Sequence, residues 1–250
     1  MKAMILAAGL GTRLKPLTDF RPKALVEVNG VPMLERVIIN LKEEGFDDII
    51  VNVHHFADQV KTFLKNKDFG VKITVSDETD NLLDTGGGIV KAYPILFGKD
   101  KDPVLIHNVD ILSNANFTKV WQSSKENGGT SLLISDRNST RKFIFNENYL
   151  LKGWHDLKND VFRPEQVRKE KYPLELAFSG IYSLSENAVK EMGMLCGNGK
   201  FSVVEYFLHP DRKENVRGVW QEDLKLLDIG KPATLSQAPD ILNGLNRKIT

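Results

Sequence analysis

The first half of the chain alternates short apolar runs with stretches in which apolar residues recur at helical spacing. Four predominantly apolar runs predict buried strands, over residues 3–8, 49–53, 71–75 and 104–107. Apolar residues three and four positions apart predict helices over residues 33–41 and 56–64, and Gly45 and Gly70 follow these helices. A third, short helix is predicted to begin at residues 85–88 and to end near Tyr93.

The second half of the chain has a less regular pattern. Alternating apolar and polar positions predict antiparallel strands or hairpins over residues 130–135, 142–146 and 149–154. Further strands are predicted over residues 176–184, 216–219 and 224–229, and a short helix over residues 201–208. Residues 158–171 are polar and mixed, which predicts a loop or lid, and the tail after Pro232 is predicted to be helical to about Leu245.

Strands that alternate with helices are typical of parallel sheets joined by right-handed crossovers. The sequence therefore predicts one Rossmann-like α/β domain with a mixed, mainly parallel sheet, helices on both faces and a short C-terminal helical tail. Ligands of such sheets bind outside the carboxyl ends of the strands. The loop at Gly9 and the carboxylate of Asp110 both follow such ends.

Composition narrows the class of protein. The 250 residues are 41% hydrophobic and 27% charged, with a formal net charge of +1, which is typical of an ordinary globular protein. The near-neutral charge disfavours a nucleic-acid partner, and no apolar run is long enough to cross a membrane. Residues 4–10 are too short for a secretory signal, and a single cysteine, Cys196, excludes an internal disulfide. These features predict a cytoplasmic protein and leave its oligomeric state open.

The loop after the first strand carries the strongest chemical signal. Gly9-Leu10-Gly11 follows an apolar strand, and three cations, Arg13, Lys15 and Lys23, come soon after. Glycines let backbone N–H groups approach a polyphosphate, and arginine and lysine neutralise its charge. Leu14 stands where a dinucleotide fingerprint needs a third glycine, and no Gly-Lys-Ser or Gly-Lys-Thr follows as a Walker loop requires. The pattern predicts a nucleotide loop of another type.

Several motifs extend this signal along the chain. Leu6-Ala-Ala-Gly-Leu-Gly-Thr-Arg-Leu-Lys-Pro-Leu-Thr is followed in order by Arg21-Pro-Lys-Ala-Leu, Leu83-Asp-Thr-Gly-Gly-Gly-Ile89, Asn108-Val-Asp110, Phe178-Ser-Gly-Ile181 and Leu227-Asp-Ile-Gly230. In this order the motifs resemble the sugar-1-phosphate nucleotidyltransferases, and most of all the short N-acetylmuramate-1-phosphate uridylyltransferases. Short mannose- and heptose-1-phosphate guanylyltransferases are similar as well.

The resemblance implies a single GT-A-like nucleotidyltransferase domain over residues 1–250. Residues 1–115 would form its nucleotide-binding half, residues 116–231 its sugar-binding half and residues 232–250 its helical tail. The implied reaction joins a nucleoside triphosphate, with UTP favoured and GTP next, to a sugar 1-phosphate and releases pyrophosphate. A role in the synthesis or recycling of cell-wall or surface polysaccharide goes with this expectation.

Roles of individual residues follow from the resemblance. Arg13 is expected to hold the β- and γ-phosphates and Lys23 the α-phosphate and the sugar phosphate, which makes both catalytic. The expected nucleotide-binding residues around them are Leu6, Ala8, Gly9, Gly11, Thr12 and Lys15. Asp110 and Asp228 are the expected ligands of Mg²⁺, a hard ion that prefers carboxylate and phosphate oxygens. Six residues inserted between Trp220 and Leu227 leave Glu222 or Asp223 as alternative second ligands.

The resemblance also implies which residues bind the base and the sugar. Glu78 is expected to accept a hydrogen bond from uracil or guanine, and Gly87 to let the base or sugar lie on bare backbone. The expected sugar-binding residues are Asn108, Glu175, Ser179 and Gly180.

Two other functions stay open at this point. A regulatory relative that binds a sugar nucleotide without turnover would keep the fold, although the presence of Lys23 and Asp110 disfavours it. A GT-A glycosyltransferase often has an Asp-x-Asp metal motif, whereas Asn108-Val-Asp110 offers a single carboxylate.

Overall fold

The structure is a computed structural model that describes residues 1–98, 101–170, 172–239 and 242. Its strands, numbered along the chain, are β1 (Lys2–Leu6), β2 (Glu27–Val28), β3 (Val31–Pro32), β4 (Asp48–Val53), β5 (Lys72–Asp77), β6 (Val104–Asn108), β7 (Ile111–Ser113), β8 (Thr130–Ser135), β9 (Arg141–Phe145), β10 (Leu151–Asp156), β11 (Val161–Arg163), β12 (Leu174–Leu184), β13 (Val216–Trp220) and β14 (Leu226–Asp228). Its helices are α1 (Met33–Glu43), α2 (Ala57–Lys65), α3 (Asp84–Leu96), α4 (Phe117–Asn127), α5 (Glu186–Cys196), α6 (Val203–Phe207) and α7 (Pro232–Leu235). Short 3-10 turns cover Thr12–Leu14, Lys23–Leu25 and Glu165–Arg168.

One ten-stranded sheet contains most of the strands. Its first half is parallel, in the order β6-β1-β4-β5, and its second half continues through the antiparallel strand β12. The long β12 pairs with β6 and β8 toward its C-terminal end and with β9 at its N-terminal end, and β10 and β11 complete that edge. Two strands outside this sheet, β7 and β14, pair with each other.

The core lies on both faces of this sheet. Alternate residues of β1 point to opposite faces, so Ala3 and Ile5 pack with α1, α2 and α4, while Met4 and Leu6 pack with α3, α5 and α6. The predicted α/β fold with helices on both faces is therefore confirmed. None of the helices in the described part of the chain combines the length and apolar character needed to cross a bilayer.

Two differences from the predicted elements concern segments with few apolar residues. Part of the predicted loop over residues 158–171 is regular, because β11 adds an edge strand to β10 and the Glu165–Arg168 turn follows it. The predicted helical tail begins as α7, and most of its remainder lies outside the described residues.

Helices α4 and α5 were not predicted, although each has a sequence signal at its start. Asn116 and Ser185 are N-caps whose side chains accept hydrogen bonds from the backbone N–H groups of Lys119 and Ala188. These helices cover the sheet where the sequence pattern predicted only connections.

Candidate functional site

A cleft of about 550 Å³ lies at the carboxyl edge of the parallel strands. The loop after β1, the end of β6 and the start of α3 form its walls, and the lining includes Leu6, Ala8 and Thr12. The predicted nucleotide loop therefore opens into a cavity.

The glycine loop presents bare backbone to this cleft. A methyl group built on Gly9 would meet no atom within 4 Å. Gly11 has a φ of 66°, a left-handed conformation that glycine adopts without strain, and its carbonyl accepts a hydrogen bond of 2.8 Å from the Thr18 hydroxyl. This turn begins the 3-10 segment that places Arg13 on the cleft wall.

Lys15 does not line the cleft. Its ammonium lies 3.2 Å from Asp19 and its side chain is 63% exposed, so the structure directs this cation to solvent. Arg13 and Lys23 are therefore the predicted cations that face the cavity.

Lys23 and Asp110 form an ion pair on the cleft floor. The Lys23 ammonium donates to Asp110 Oδ2, and the two side chains are only 15% and 13% exposed. Pro22 precedes the 3-10 turn that Lys23 begins, and Asp110 lies two residues beyond the end of β6. A fixed ammonium beside a carboxylate suits a site that must hold a phosphate and a cation together.

Asp228 and Asp110 come together through the small β7–β14 sheet. Asp228 pairs with Ile111, and the Ile229 N–H donates to the Asp110 carbonyl at 3.0 Å. Asp228 Oδ1 accepts a 2.8 Å hydrogen bond from the Gly230 N–H. Two carboxylates far apart in the sequence thus meet at one point.

Gly230 marks that point. A Cβ at this position would lie 2.7 Å from Arg13 Nη2, 2.8 Å from Asp228 Oδ1 and 3.0 Å from Asp110 Oδ2. Three charged groups therefore surround a residue that has room for no side chain. This convergence is the central feature of the site.

The alternative second ligands do not reach this point. The Asp223 carboxylate accepts from Gln221 at 3.1 Å and its carbonyl accepts from Asn114 at 2.9 Å, in a separate surface network, and Glu222 is exposed. The inserted residues form that network and leave Asp228 beside Asp110.

The donor set of Asp110 and Asp228 fits a hard divalent cation. Mg²⁺ is usually held by one or two carboxylates, with waters and substrate phosphates as its other ligands. Among the described residues no group of three or more His, Cys, Asp or Glu side chains is placed to bind a metal. The pair suits an ion that arrives with a phosphate rather than one held by protein alone.

Glu78 lies beneath the cleft rather than in it. Its side chain has no solvent exposure, and Oε1 accepts a 2.7 Å hydrogen bond from Asn52 Nδ2, while Asn52 Oδ1 accepts one of 2.6 Å from the Ala7 N–H. Burial raises the pKa of this carboxyl, although the bond from Asn52 opposes the shift. The Glu78 carboxylate fixes Asn52, which lines the cleft, and the expected contact of Glu78 with a base stays a prediction.

Gly87 packs closely against another segment of the chain. A Cβ on Gly87 would lie 2.1 Å from the Gly199 carbonyl oxygen, and one on Gly86 would lie 2.2 Å from the Phe201 ring. The Gly86 N–H donates to the Phe201 carbonyl at 3.0 Å. Protein therefore fills the space that side chains at these glycines would take, and the expected contact of Gly87 with a base or sugar stays a prediction.

The four predicted sugar-binding residues are separated. Asn108 lines the cleft, and its Nδ2 would be 2.7 Å from a Cβ on Gly180, whose φ is 77°. Ser179 is 1% exposed and its hydroxyl accepts from the Ile181 N–H at 3.2 Å, so it points inward. Glu175 lies outside the cleft, where its carboxylate is 3.3 Å from His155 Nδ1.

Sequence reasoning missed several residues at the site. Asn52 was visible as a polar residue within an apolar strand, and Gly230 lay in a motif without an assigned role. Lys200 lines the cleft from a distant segment and gave no local signal. Arg137 follows β8 and donates to the Phe178 carbonyl at 2.8 Å, and burial lowers the pKa of its guanidinium while nearby Asp228 opposes that shift.

Parts of this chain are similar in sequence to known uridylyl- and guanylyltransferases. An N-acetylmuramate alpha-1-phosphate uridylyltransferase of Neisseria meningitidis serogroup B is 41% identical over 125 residues, which are 50% of this chain and 53% of that protein. Mannose-1-phosphate guanylyltransferase 1 of Arabidopsis thaliana is 28% identical over 212 residues, 74% of this chain and 58% of that protein. The chain spans about half the length of the curated relatives that it matches.

A solved structure supports the fold. UDP-glucose pyrophosphorylase from Acinetobacter baumanii superposes with a TM-score of 0.77 over 99% of this chain and 95% of that chain, at 15% identity. At this identity the likeness concerns the fold alone.

The sequence profile described as "Nucleotidyl transferase" matches residues 2–143, which include the glycine loop, Lys23 and Asp110. Because this match covers more than half of the 250 residues, the chain belongs to the nucleotidyl transferase family.

Proposed function

We propose that the protein transfers a nucleoside monophosphate from a nucleoside triphosphate to a sugar 1-phosphate and releases pyrophosphate. The observation that carries this proposal is the meeting of Arg13, Asp110 and Asp228 around Gly230, with Lys23 paired to Asp110. Cations at this point suit a phosphate chain, and two adjacent carboxylates would repel that chain unless a divalent cation were shared between them.

The proposed reaction is a displacement at the α-phosphorus. A phosphate oxygen of the sugar 1-phosphate forms a bond to that phosphorus. The bond to the bridging oxygen breaks, and pyrophosphate leaves with the electron pair. Such transfers depend on alignment and on stabilisation of developing charge more than on covalent help from the protein.

Each charged side chain has a separate task in this scheme. The exposed Arg13 guanidinium presents a fork of donors to the departing β- and γ-phosphates. Lys23, which the ion pair with Asp110 fixes in place, neutralises the reacting α-phosphate. The bare backbone at Gly9 lets the phosphates approach the loop closely.

We propose Mg²⁺ as the cofactor, held by Asp110 and Asp228. When bound, the ion would neutralise charge on the phosphate oxygens. The support is the proximity of the two carboxylates and their hard oxygen donors.

Among nucleotides we propose UTP as the preferred substrate, with GTP next. The support is that the relative 41% identical to this chain is a uridylyltransferase, and a more distant relative is a guanylyltransferase. With an amino-sugar 1-phosphate as acceptor, the protein would serve cell-wall or surface-polysaccharide metabolism.

A substrate matrix tests the proposal. Purified protein with Mg²⁺ is incubated with each of five nucleoside triphosphates and a panel of sugar 1-phosphates, and pyrophosphate release is measured. We expect release to be fastest with UTP, to stop on chelation with EDTA, and to return with added Mg²⁺. Folded protein that releases no pyrophosphate with any pair would contradict the proposal.

A further inference from the structure

A buried polar link joins the two glycine-rich segments at the carboxyl edge of the sheet. The Ala7 N–H donates to Asn52 Oδ1 at 2.6 Å, and Asn52 Nδ2 donates to Glu78 Oε1 at 2.7 Å. The Leu83 N–H donates to Glu78 Oε2 at 3.4 Å. Ala7 lies two residues before Gly9, and Leu83 directly precedes α3. The link therefore connects the nucleotide loop after β1 with the start of α3.

The link takes over where the strand pairing of β1 ends. The register of β1 ends at Leu6, which lies opposite Asn52 on β4 and Asn108 on β6. The next N–H along the chain, that of Ala7, is buried and is held by the Asn52 side chain. A buried N–H without a partner is strongly disfavoured. Asn52 therefore sets the path along which the backbone enters the nucleotide loop.

Glu78 determines which way the Asn52 amide faces. An asparagine amide has an acceptor on one side and donors on the other, so it can bind the Ala7 N–H only through its oxygen. Both Glu78 carboxylate oxygens accept hydrogen bonds, and Oε1 holds the Asn52 NH₂ group away from Ala7. The exposed fractions of the Glu78 and Asn52 side chains are 0% and 2%, so water does not compete for these bonds.

The surrounding main chain encloses Glu78. A Cβ on Gly88 would lie 2.6 Å from Glu78 Oε1 and 3.1 Å from Asn52 Nδ2, so this glycine makes room for the link. The Glu78 N–H donates to the Val53 carbonyl at 2.7 Å, and the Glu78 carbonyl lies 2.7 Å from His54 Nδ1. Packing and hydrogen bonds together hold the carboxylate in place, as positioning of a neighbouring group requires.

We infer that Glu78 is a positioning residue for the nucleoside triphosphate, acting through Asn52 on the backbone of the nucleotide loop. The inference rests on the proposed function. The bare backbone at Gly9 is the surface that the phosphates approach, and hydrogen bonds to them weaken steeply when the loop shifts. Loss of the link should therefore weaken binding of the phosphate chain, whichever base is attached to it.

The test compares a ligand that has a base with one that has none. Binding of UTP and of inorganic triphosphate, each with Mg²⁺ and without acceptor, is measured by isothermal titration calorimetry. Asn52→Leu removes the amide at similar volume, and Glu78→Met removes the acceptor that orients the amide. Glu78→Gln, the conservative variant, keeps a side-chain oxygen that can accept from Asn52 Nδ2.

Glu191→Met is the matched control. Glu191 lies on α5, outside the described lining of the cleft, and is 9% exposed. Its carboxylate accepts hydrogen bonds from the Tyr206 hydroxyl at 2.9 Å and from the Lys213 N–H at 2.8 Å. Loss of these bonds should lower the Tm and leave both Kd values unchanged, which is the result expected of a purely structural carboxylate.

We expect Asn52→Leu and Glu78→Met to raise the Kd for UTP on the order of 10-fold, the scale of one lost hydrogen bond. The Kd for inorganic triphosphate should rise by the same factor, because both ligands contact the same loop. Glu78→Gln should stay within about 3-fold of wild type. The double variant Asn52→Leu/Glu78→Met should bind UTP no more weakly than Asn52→Leu alone, since both substitutions break one link.

Gly88→Ala provides a second route to the same measurement if Asn52→Leu does not fold. Its methyl group displaces the end of the flexible Glu78 side chain and leaves every polar group of the link in the protein. This variant should raise the Kd for UTP and the Kd for inorganic triphosphate by equal factors.

Three outcomes overturn the inference and leave the proposed function standing. A raised Kd for UTP with an unchanged Kd for inorganic triphosphate would mean that Glu78 contacts the base directly. Unchanged Kd values in variants with a lowered Tm would mean that the link only stabilises the fold. Losses that multiply in the double variant would mean that Asn52 and Glu78 act independently. Wild-type protein that binds neither ligand would contradict the proposed function and this inference together.

Discussion

Two glycine-rich segments follow strands of the same sheet, and they serve opposite purposes. After β1, a methyl group on Gly9 would meet no atom within 4 Å, and the backbone faces the cleft. After β5, the glycines at the start of α3 are covered by protein, since Gly199 and Phe201 lie against Gly87 and Gly86. A glycine run therefore indicates that something approaches the backbone, but not whether it is a ligand or another part of the chain.

The second segment still contributes to the site. The stretch around Phe201 packs against it, and this contact places Lys200 on the cleft wall. In the proposed function the first segment contacts the phosphates directly, whereas the second organises one wall of the cleft. Substitutions in the two segments should accordingly change different measured quantities.

The largest expected effect is on catalysis at the cleft. Lys23→Ala should lower kcat by about 10²–10³-fold, or about 3–4 kcal/mol, because it removes a preorganised charge from the reacting phosphate. Steady-state pyrophosphate release measures the loss. Lys72→Ala, which removes a cation that is 70% exposed, is the matched control. Near-normal turnover in folded Lys23→Ala protein would refute the assigned role.

The next effect is on stability at the second glycine segment. Gly87→Ala places a methyl group 2.1 Å from the Gly199 carbonyl oxygen, and this contact involves backbone that cannot rotate away. Overpacking of this kind costs about 1–3 kcal/mol, and each kcal/mol lowers the Tm by roughly 2–4 °C in a chain of this size. Thermal unfolding followed by circular dichroism measures the change. An unchanged Tm would mean that Gly199 does not pack against Gly87.

Gly9→Ala should weaken binding of the nucleoside triphosphate and leave stability unchanged, the reverse of what is expected for Gly87→Ala. No neighbour is displaced, so the Tm should stay within about 2 °C of wild type, as expected of a substitution worth less than about 0.5 kcal/mol. The KM for the nucleoside triphosphate should rise on the order of 10-fold, because the methyl group separates the phosphates from a backbone donor. Unchanged KM with a lowered Tm would show that protein, not phosphate, contacts Gly9.

The smallest expected effect concerns the pH dependence of stability. Burial raises the pKa of Glu78 above its ordinary value of 4.5, so the folded protein holds this proton at pH values where the unfolded chain has lost it. The resulting stabilisation is complete below the ordinary pKa and declines as the pH rises through the folded pKa. Urea unfolding from pH 4 to 8 should show wild type losing more stability with rising pH than Glu78→Gln. Parallel curves for the two proteins would show that the pKa of Glu78 is not raised on folding.

Local patterns were enough to predict the parallel half of the fold. The strands β1, β4 and β6 are runs of mostly buried residues, and such runs are readable without knowing their neighbours. Helices α4 and α5 were missed, although Asn116 and Ser185 are N-cap residues that can be recognised in the sequence.

The site was predictable only in part, and the reason is long-range packing. Arg13, Lys23, Asp110 and Asp228 were found through their motifs, and the structure brings them together. The packing of Gly199 against Gly87 could not be predicted in the same way, because Gly199 lies in a distant segment that gives no local signal of this contact.

Hydrogen exchange tests the difference between the two glycine segments most directly. Exchange of wild-type amides is followed by mass spectrometry with and without UTP and Mg²⁺. We expect the nucleotide to slow exchange strongly in residues 9–13. We expect little change in residues 86–88, because the Gly86 and Gly87 N–H groups already donate to the Phe201 carbonyl. Slowing confined to residues 86–88, with none in residues 9–13, would show that the nucleotide does not bind at the glycine loop after β1.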